Sequence, residues 1–309
     1  MQHFNSNLVS VIIPTYNRVN SLTDSLTSIT NQTYKNIELI VVDDNSLDNT
    51  KEIICSLEIP NLKFLTHEKN LGAPAARNTG IKNCTGDFIA FMDDDDMWHP
   101  EKIERQLNYL IQNPEADAVF CEFKYVLKNK FYYPDKIMFD NNLLDLSLNR
   151  SLGSFSLPLI KKNCIDVTGL IDINLPSCQD WDYWIRLVQN FNLKKISDCL
   201  VTRNLSKGQI TSDINKKIKG REYLLNKHWD LISKYPVIEN MHLSRLGSLN
   251  TLAGNTKAAK DYFLKSFKTY PYSISTIIHI FLSYFSSNLH KYLINRFGIH
   301  KYGNINHYH

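Results

Sequence analysis

The sequence predicts an α/β fold, with a mixed or parallel sheet flanked by helices and a C-terminal helical extension. Three observations carry that expectation. Short, nearly continuous apolar runs alternate with stretches of helical period over roughly the first third of the chain, the pattern of parallel strands covered on both faces. Two of those runs end in acidic clusters, at the edge where α/β sheets bind ligands. From Lys219 onward only helical periodicity is left.

Taken in order, Val9–Ile13 is a β-branched run stopped by Pro14 and reads as a buried strand. Ser21, with Asp24 three residues on, predicts a capped helix carrying Leu22, Leu26 and Ile29. Ile37–Val42 is a second strand, closing on Asp43-Asp44-Asn45-Ser46, and Ser46 is expected to start a helix striped by Ile53, Ile54 and Leu57. A third strand, Leu62–Thr66, leads through Asn70-Leu71-Gly72 into a helix from about Pro74 to Lys82. Asp87–Met92 is a fourth strand running into Asp93-Asp94-Asp95-Asp96. The middle third is less regular. There Ala118–Phe123 reads as a strand, and Ser177-Cys178-Gln179-Asp180 opens a helix with Trp181, Trp184, Ile185 and Val188 on one face. Leu246 to Tyr270, with Gly254, Ala258-Ala259 and Pro271, has the spacing of a helix–turn–helix pair.

Composition narrows the function. The chain has 309 residues, 43% hydrophobic and 21% charged, which excludes disorder for its bulk. A net charge of +4 is too small to point to nucleic acid. The six cysteines (Cys55, Cys84, Cys121, Cys164, Cys178, Cys199) are scattered, with no CxxC, and read as free thiols in a reducing compartment. No signal-peptide pattern opens the sequence and no apolar run approaches ~20 residues, so the protein is expected to be cytoplasmic, peripheral at most to a membrane.

Four consecutive aspartates are costly to hold together unless a cation offsets them. A solvated acidic turn is the plain alternative, but the cluster sits at the ligand edge of the sheet. A calcium loop of EF-hand type lacks its required Gly and Glu. A D-x-D spacing on a strand end suits Mg²⁺ or Mn²⁺ bridging a diphosphate. Neither a G-x-G-x-x-G after the first strand nor a G-x-x-x-x-G-K-[ST] is present, so the glycine-cradled phosphate sites fail. The first strand ends instead in Pro14-Thr15-Tyr16-Asn17-Arg18, and Arg18 and Arg77 are the nearby cations. The residues alone thus imply a metal-dependent nucleotide-binding α/β domain.

The segments V-S-V-I-I-P-T-Y-N-R, Q-T-Y-x-N-I-E-L-I-V-V-D-D-N-S, N-x-G-A-P-A-A-R-N-T-G-I and F-M-D-D-D-D-M-W-H-P resemble family 2 glycosyltransferases of GT-A fold, a Rossmann-like architecture. The resemblance covers about residues 8 to 210. It implies a GT-A domain over 1–215, with a nucleotide-binding half (1–112) and an acceptor half (113–215), and a helical region over 216–309. It also implies that Pro14, Thr15, Tyr16, Asn17 and Arg18 line the nucleotide pocket and that Asp44 hydrogen-bonds the nucleobase. Arg77 would face nucleotide and acidic motif, Asp93 and Asp94 would lie near ribose and diphosphate, and Asp95, with Asp93, would ligate the metal. Plain alternatives stand beside these roles: a surface ion pair for Arg77, a core position for Trp98.

Gln179-Asp180-Trp181-Asp182-Tyr183-Trp184 looks like the family segment carrying the catalytic carboxylate, which makes Asp180 the general base of an inverting transfer. Asp182 is its rival, and Ser177-x-x-Asp180 is also a capping-box pattern. Where many relatives have Arg-x-His, the corresponding stretch here is Asn204-Leu205-Ser206, which leaves Arg203 or Lys207 to supply positive charge. The Q-x-x-R-W signature of processive synthases is missing, so transfer of a single sugar is expected.

After Asp261 no acidic residue follows, while Lys265, Lys268, Lys291, Arg296 and Lys301 are basic among many aromatic and apolar side chains. This tail, 262–309, reads either as a packed helical extension or as an interfacial element on an anionic leaflet. The combined expectation is an inverting, metal-assisted glycosyltransferase acting on a nucleotide sugar, UDP-linked by resemblance. Its acceptor would be a glycan or an undecaprenyl-linked saccharide of a surface polysaccharide such as O-antigen or capsule. A non-catalytic sugar-nucleotide-binding or scaffold protein of the same fold is the alternative.

Overall fold

Continuous apolar runs can be buried on both faces only in the middle of a layered sheet. In a computed structural model of the chain, which describes residues 7–127, 130–139, 142–204, 213–285 and 287–297, four parallel strands make one side of the sheet, the inner three almost wholly buried and the edge strand partly exposed. β1 (Val9–Thr15), β2 (Ile37–Asp43), β3 (Leu62–Thr66) and β4 (Phe88–Phe91) lie parallel in the order β3-β2-β1-β4. Every residue of β1 and β4 is buried. The crossovers are α1 (Val19–Thr30), α2 (Thr50–Ser56) and α3 (Ala73–Asn83). Glu38, the one charge inside the β2 run, is held at the amino end of the sheet by Ser10, Thr85 and Lys63.

Two expected helix starts move. α1 begins at Val19, and the Ser21 hydroxyl donates to the Arg18 carbonyl instead of capping an amide. Ser46 does not start a helix: its backbone N–H and hydroxyl both donate to Asp43, and α2 waits until Thr50, whose N–H and hydroxyl donate to Asp48. A short polar side chain next to a carboxylate closes a local turn as readily as it caps a helix.

The chain continues through β5 (Asp96–Trp98), α4 (Lys102–Gln112), β6 (Ala118–Leu127), β7 (Lys130–Tyr132), α5 (Leu143–Asn149), β8 (Leu159–Lys161), α6 (Lys162–Thr168), α7 (Gln179–Val188) and β9 (Leu193–Asn204). These extend the sheet to β3-β2-β1-β4-β8-β6-β9-β5, with β7 on β6. β8 is antiparallel to both β4 and β6, β6 and β9 are parallel, and β5 is antiparallel to β9, so the sheet is mixed. Among the described residues β8 is the only strand bonded to both the parallel group and the rest. Trp98 is buried, with the ammonium of the fully buried Lys102 4.0 Å from its ring centroid.

The chain divides into two compact units. The first draws on Met1–Leu144, Leu152–Ile173 and Tyr183–Leu205, and holds the whole sheet; the second draws on Asp145–Ser151, Asn174–Asp182 and Ser206–His309.

The second unit is helical: α8 (Ile214–Lys227), α9 (Trp229–Ile232), α10 (Pro236–Ala253), α11 (Thr256–Thr269), α12 (Ile274–Phe285) and α13 (Ser287–Phe297). α10 and α11 form the expected helix–turn–helix, turned by Gly254 in the left-handed region (φ +88°). They pack closely because Gly247 leaves room for the Phe263 ring, which a Cβ there would approach to 2.6 Å. Deeper in, Trp181 Nε1 donates to the Ser147 carbonyl (2.6 Å), and the neutral His242 donates from Nε2 to the Leu148 carbonyl (2.8 Å) while accepting at Nδ1 from Arg221 (3.2 Å).

Burial, and then the Arg221 charge, push His242 from its ordinary 6.5 down to about 3. Between those values the unfolded chain binds a proton that the folded chain refuses, so stability falls as pH drops, by about 1.4 kcal/mol per pH unit for one such group. Denaturant melts should show the loss steepening below pH 6.5, and His242→Gln, which keeps a donor and an acceptor, should reduce that slope. An identical acid limb in the variant would contradict the assignment.

Candidate functional site

From β1 the chain builds β2 and β3 on one side of the sheet, then returns through α3 to place β4 on the other. The strand order therefore reverses between β1 and β4, the point at which α/β sheets open a crevice beyond the carboxyl ends of their strands. Register pairs Thr15 with Asp43 and Ile12 with Phe91, so Thr15, Asp44 and Asp93 leave the sheet side by side.

Beyond β4 the four aspartates are matched by three arginines from three different elements. Arg77, on α3, donates from Nη2 to Asp93 Oδ1 (2.6 Å), with its guanidinium carbon 4.7 Å from the Phe155 ring centroid. Arg18, at the start of α1, bridges Asp94 Oδ1 (3.1 Å) and Asp95 Oδ2 (3.0 Å) through Nη1, and the Thr15 hydroxyl donates to Asp94 Oδ2 (2.9 Å). Arg203, near the end of β9, lies 3.5 Å from Asp96 Oδ1 and 3.9 Å from Asp93 Oδ2. Asp94, Asp95 and Asp96 are buried. Burial pushes the Asp94 carboxyl up to about 6 against the opposing pull of Arg18 and Thr15, and pushes Asp96 up against that of Arg203. Asp96 Oδ2 and the Nε atoms of Arg77 and Arg203 have no hydrogen-bond partner among the described residues.

The loop after β2 forms the other wall. Asp44 accepts from the backbone N–H groups of Leu71 (2.8 Å) and Gly72 (2.7 Å), and its Oδ1 lies 2.7 Å from His67 Nδ1. Gly72 takes φ +88° there, and α3 follows it. Asn17 and Ser46 clasp the two loops: Asn17 N–H donates to Ser46 Oγ (2.8 Å), and Leu47 N–H to Asn17 Oδ1 (2.6 Å). Asn17 and Asn45 both occupy the left-handed region, which asparagine tolerates. Pro14 is buried at the end of β1, and Tyr16 is exposed.

The donor chemistry fits a hard divalent cation. Carboxylate oxygens suit Mg²⁺ or Mn²⁺, and a buried carboxylate oxygen without a donor, such as Asp96 Oδ2, is the kind of atom a cation satisfies. Among the described residues no three metal-binding side chains converge into a closed cage. A cation held by Asp93 and Asp95 would complete its shell with water and substrate phosphate, as Mg²⁺ sites do.

Asp180 falls in the second unit, in the first turn of α7. The Ser177 hydroxyl donates to the Lys216 carbonyl (3.0 Å), and Asp180 Oδ1 accepts from the neighbouring Trp181 N–H (2.7 Å). Asp182 is fully buried and its Oδ1 receives Lys227 Nζ and His228 Nε2, each at 2.9 Å, which commits it to holding the helix start. Of the cations offered in place of a histidine, Arg203 joins the acidic cluster, while Lys207, like Leu205 and Ser206, lies outside the described residues.

The sequence did not single out His67, Phe155 or Ser156, whose hydroxyl accepts from Asp93 N–H (2.9 Å). His67 had a legible signal, since it follows directly on β3 at the ligand edge. Phe155 and Ser156 come from an irregular segment with none.

The family model for glycosyl transferase family 2 matches residues 10–172. The chain is 30% identical over 270 residues to UDP-Glc:alpha-D-GlcNAc-diphosphoundecaprenol beta-1,3-glucosyltransferase WfgD of Escherichia coli, across 82% of this chain and 96% of that one. Two other curated relatives are longer, and the chain spans 45% and 27% of their lengths. Among solved structures it is similar to S. aureus TarS 1–349 in complex with UDP-GlcNAc (TM-score 0.59, 17% identity, 94% of this chain, 92% of that one). It is also similar to the mannosyltransferase PcManGT from Pyrobaculum calidifontis in complex with GDP-Man and Mn²⁺ (TM-score 0.55, 16% identity, 94% and 87%). At such identities the structural likenesses establish the GT-A fold.

Arg203→Met would leave Asp96 buried without its cation. The carboxyl then keeps a proton in the folded state that the unfolded chain releases, so the penalty grows as pH rises above the ordinary carboxylate range. Denaturation in chelator should show the variant less stable by about 3 kcal/mol at pH 8, and by clearly less at pH 5.5. Equal losses at both pH values would rule out this pairing.

Proposed function

Because the chain belongs to glycosyl transferase family 2, we propose that it moves a single sugar from a UDP-linked donor to a hydroxyl of a glycan or undecaprenyl-linked saccharide, inverting the anomeric carbon. The observation that carries the donor half is the acidic cluster at the reversal between β1 and β4, threaded by Arg18 and Arg77. A UDP donor and a lipid-linked acceptor are supported by the activity WfgD is named for.

In this reading Pro14 to Arg18 and Asp44 shape the nucleotide pocket, with Asp93 and Asp94 toward ribose and diphosphate. Arg18 and Arg77 bring positive charge to the diphosphate, in a buried setting where such charge is worth more than in water. A divalent cation, Mn²⁺ or Mg²⁺, when bound by Asp93 and Asp95, adds charge that offsets the leaving diphosphate. Asp180 takes the proton of the acceptor hydroxyl as that oxygen bonds to the anomeric carbon; the bond from that carbon to the diphosphate breaks on the opposite face. No residue is left covalently modified. Substrates of this kind place the enzyme at the cytoplasmic face of the membrane that carries the acceptor.

Thermal melts with UDP, GDP and dTDP, each with Mn²⁺ or chelator, test the donor site. UDP at 100 times its Kd should stabilise by ~2.7 kcal/mol, a rise of a few degrees, and the rise should vanish in chelator and in Asp95→Ala. No shift with any nucleotide would overturn the donor reading. Asp180→Asn should keep the UDP shift yet lose transfer to a polyprenyl-diphosphate sugar by roughly 10²–10⁴-fold. Transfer at the wild-type rate in that variant would remove Asp180 as the base.

A further inference from the structure

Helix α12 is amphipathic in the reverse sense. Its inward stripe is Thr276, His279, Ile280 and Ser283, largely polar and satisfied within the second unit. Thr276 Oγ1 donates to Ser273 Oγ (2.9 Å) and accepts from Asn240 Nδ2 (3.3 Å). The His279 ring stacks on Phe263 (centroids 4.9 Å apart, planes 5° from parallel), and its Nδ1 lies 2.9 Å from His290 Nε2. The outward stripe is Ile274, Ile277, Ile278, Phe281, Tyr284 and Phe285, spaced as one helix face; Ile274, Phe281 and Phe285 are 74%, 58% and 71% exposed. A helix bathed in water puts these residues inside and the polar ones out. Exposed Leu289 and Tyr292 on α13 add to the apolar surface of the unit.

We propose that this face of α12 is a docking surface for an anionic lipid bilayer. Charge decides the occupant. Lys260 Nζ sits 4.1 Å from the Tyr284 ring centroid, and Arg296 Nη1 donates to the Tyr292 hydroxyl (2.6 Å), so cations flank the aromatic side chains. The sequence has no acidic residue after Asp261 to offset them. A two-fold contact between copies would set these like charges against each other, whereas anionic headgroups complement them. Tyrosines beside apolar side chains suit the headgroup boundary. Among the described residues no helix is long and apolar enough to cross a membrane, and the 12 residues of α12 span about 18 Å, so the helix lies along the surface.

The inference supplies a surface for the lipid-linked acceptor reading, but its test uses no sugar and can fail separately. The full chain is floated with vesicles of phosphatidylcholine alone and of phosphatidylcholine with phosphatidylglycerol. Wild type should float with the anionic vesicles and release in high salt. Ile278→Asp and Phe281→Asp, at exposed positions that leave the melting temperature and the UDP-induced shift intact, should each lower the partition coefficient by roughly tenfold. Lys260→Glu with Arg296→Glu should remove the preference for anionic lipid. No flotation with either vesicle, or unchanged partition in Phe281→Asp, would overturn the proposal. So would sedimentation showing a dimer that Phe281→Asp dissolves while wild type ignores vesicles.

Discussion

Four carboxylates in succession repel one another, and burying three of them raises the cost further. The fold meets that constraint with three arginines drawn from three places: Arg18 where β1 turns into α1, Arg77 within α3, and Arg203 near the end of β9. Each can reach the cluster only if its element is in place, so the electrostatics of one strand end fix the positions of elements far apart in sequence. The match is incomplete by design of the geometry. Among the described residues Asp96 Oδ2 and Arg77 Nε have no hydrogen-bond partner, and Arg203 Nε meets only the ion-pair distance of 3.5 Å to Asp96 Oδ1. Buried donors and acceptors left unsatisfied carry a desolvation cost that a new partner would relieve.

Much of this was readable from residues because the relevant signals are local. A run such as Val9–Ile13, stopped by Pro14, needs no tertiary information to be a buried strand, and an acidic tetrad directly after another such run marks the ligand edge. Signals that depend on distant partners were hidden. β8 has three residues and no period to show. β5 and β9 pair Asp96 with Arg203, residues far apart in sequence. Ser46 has the composition of a helix start, and only the placement of Asp43 decides that it closes a turn. The charges of Glu38 and Lys102 are buried by neighbours that the sequence does not place beside them.

The same distinction separates the two candidate bases. Asp180 and Asp182 point to opposite sides of a helical wheel, and the wheel alone does not say which side meets a partner. Only the folded second unit, which delivers Lys227 and His228 to Asp182, shows that one of the two is spent on structure. In α12 the period was legible and its orientation was not, since a hydrophobic stripe says nothing by itself about whether it faces protein. Thr276 and His279, turned inward onto Asn240 and Phe263, decide it.

β8 joins the β3-β2-β1-β4 group to the β6-β9-β5 group through three residues, Leu159–Lys161. Fewer residues pair across that joint than in the β1–β2 and β6–β9 ladders on its two sides. Two blocks of the sheet, one on each side of the joint, are expected to open separately. Backbone amides on each side should exchange with solvent deuterium at rates of their own, and a lesion in one block should leave protection in the other largely in place. With so narrow a seam, one block of the sheet can change in evolution without refolding the other.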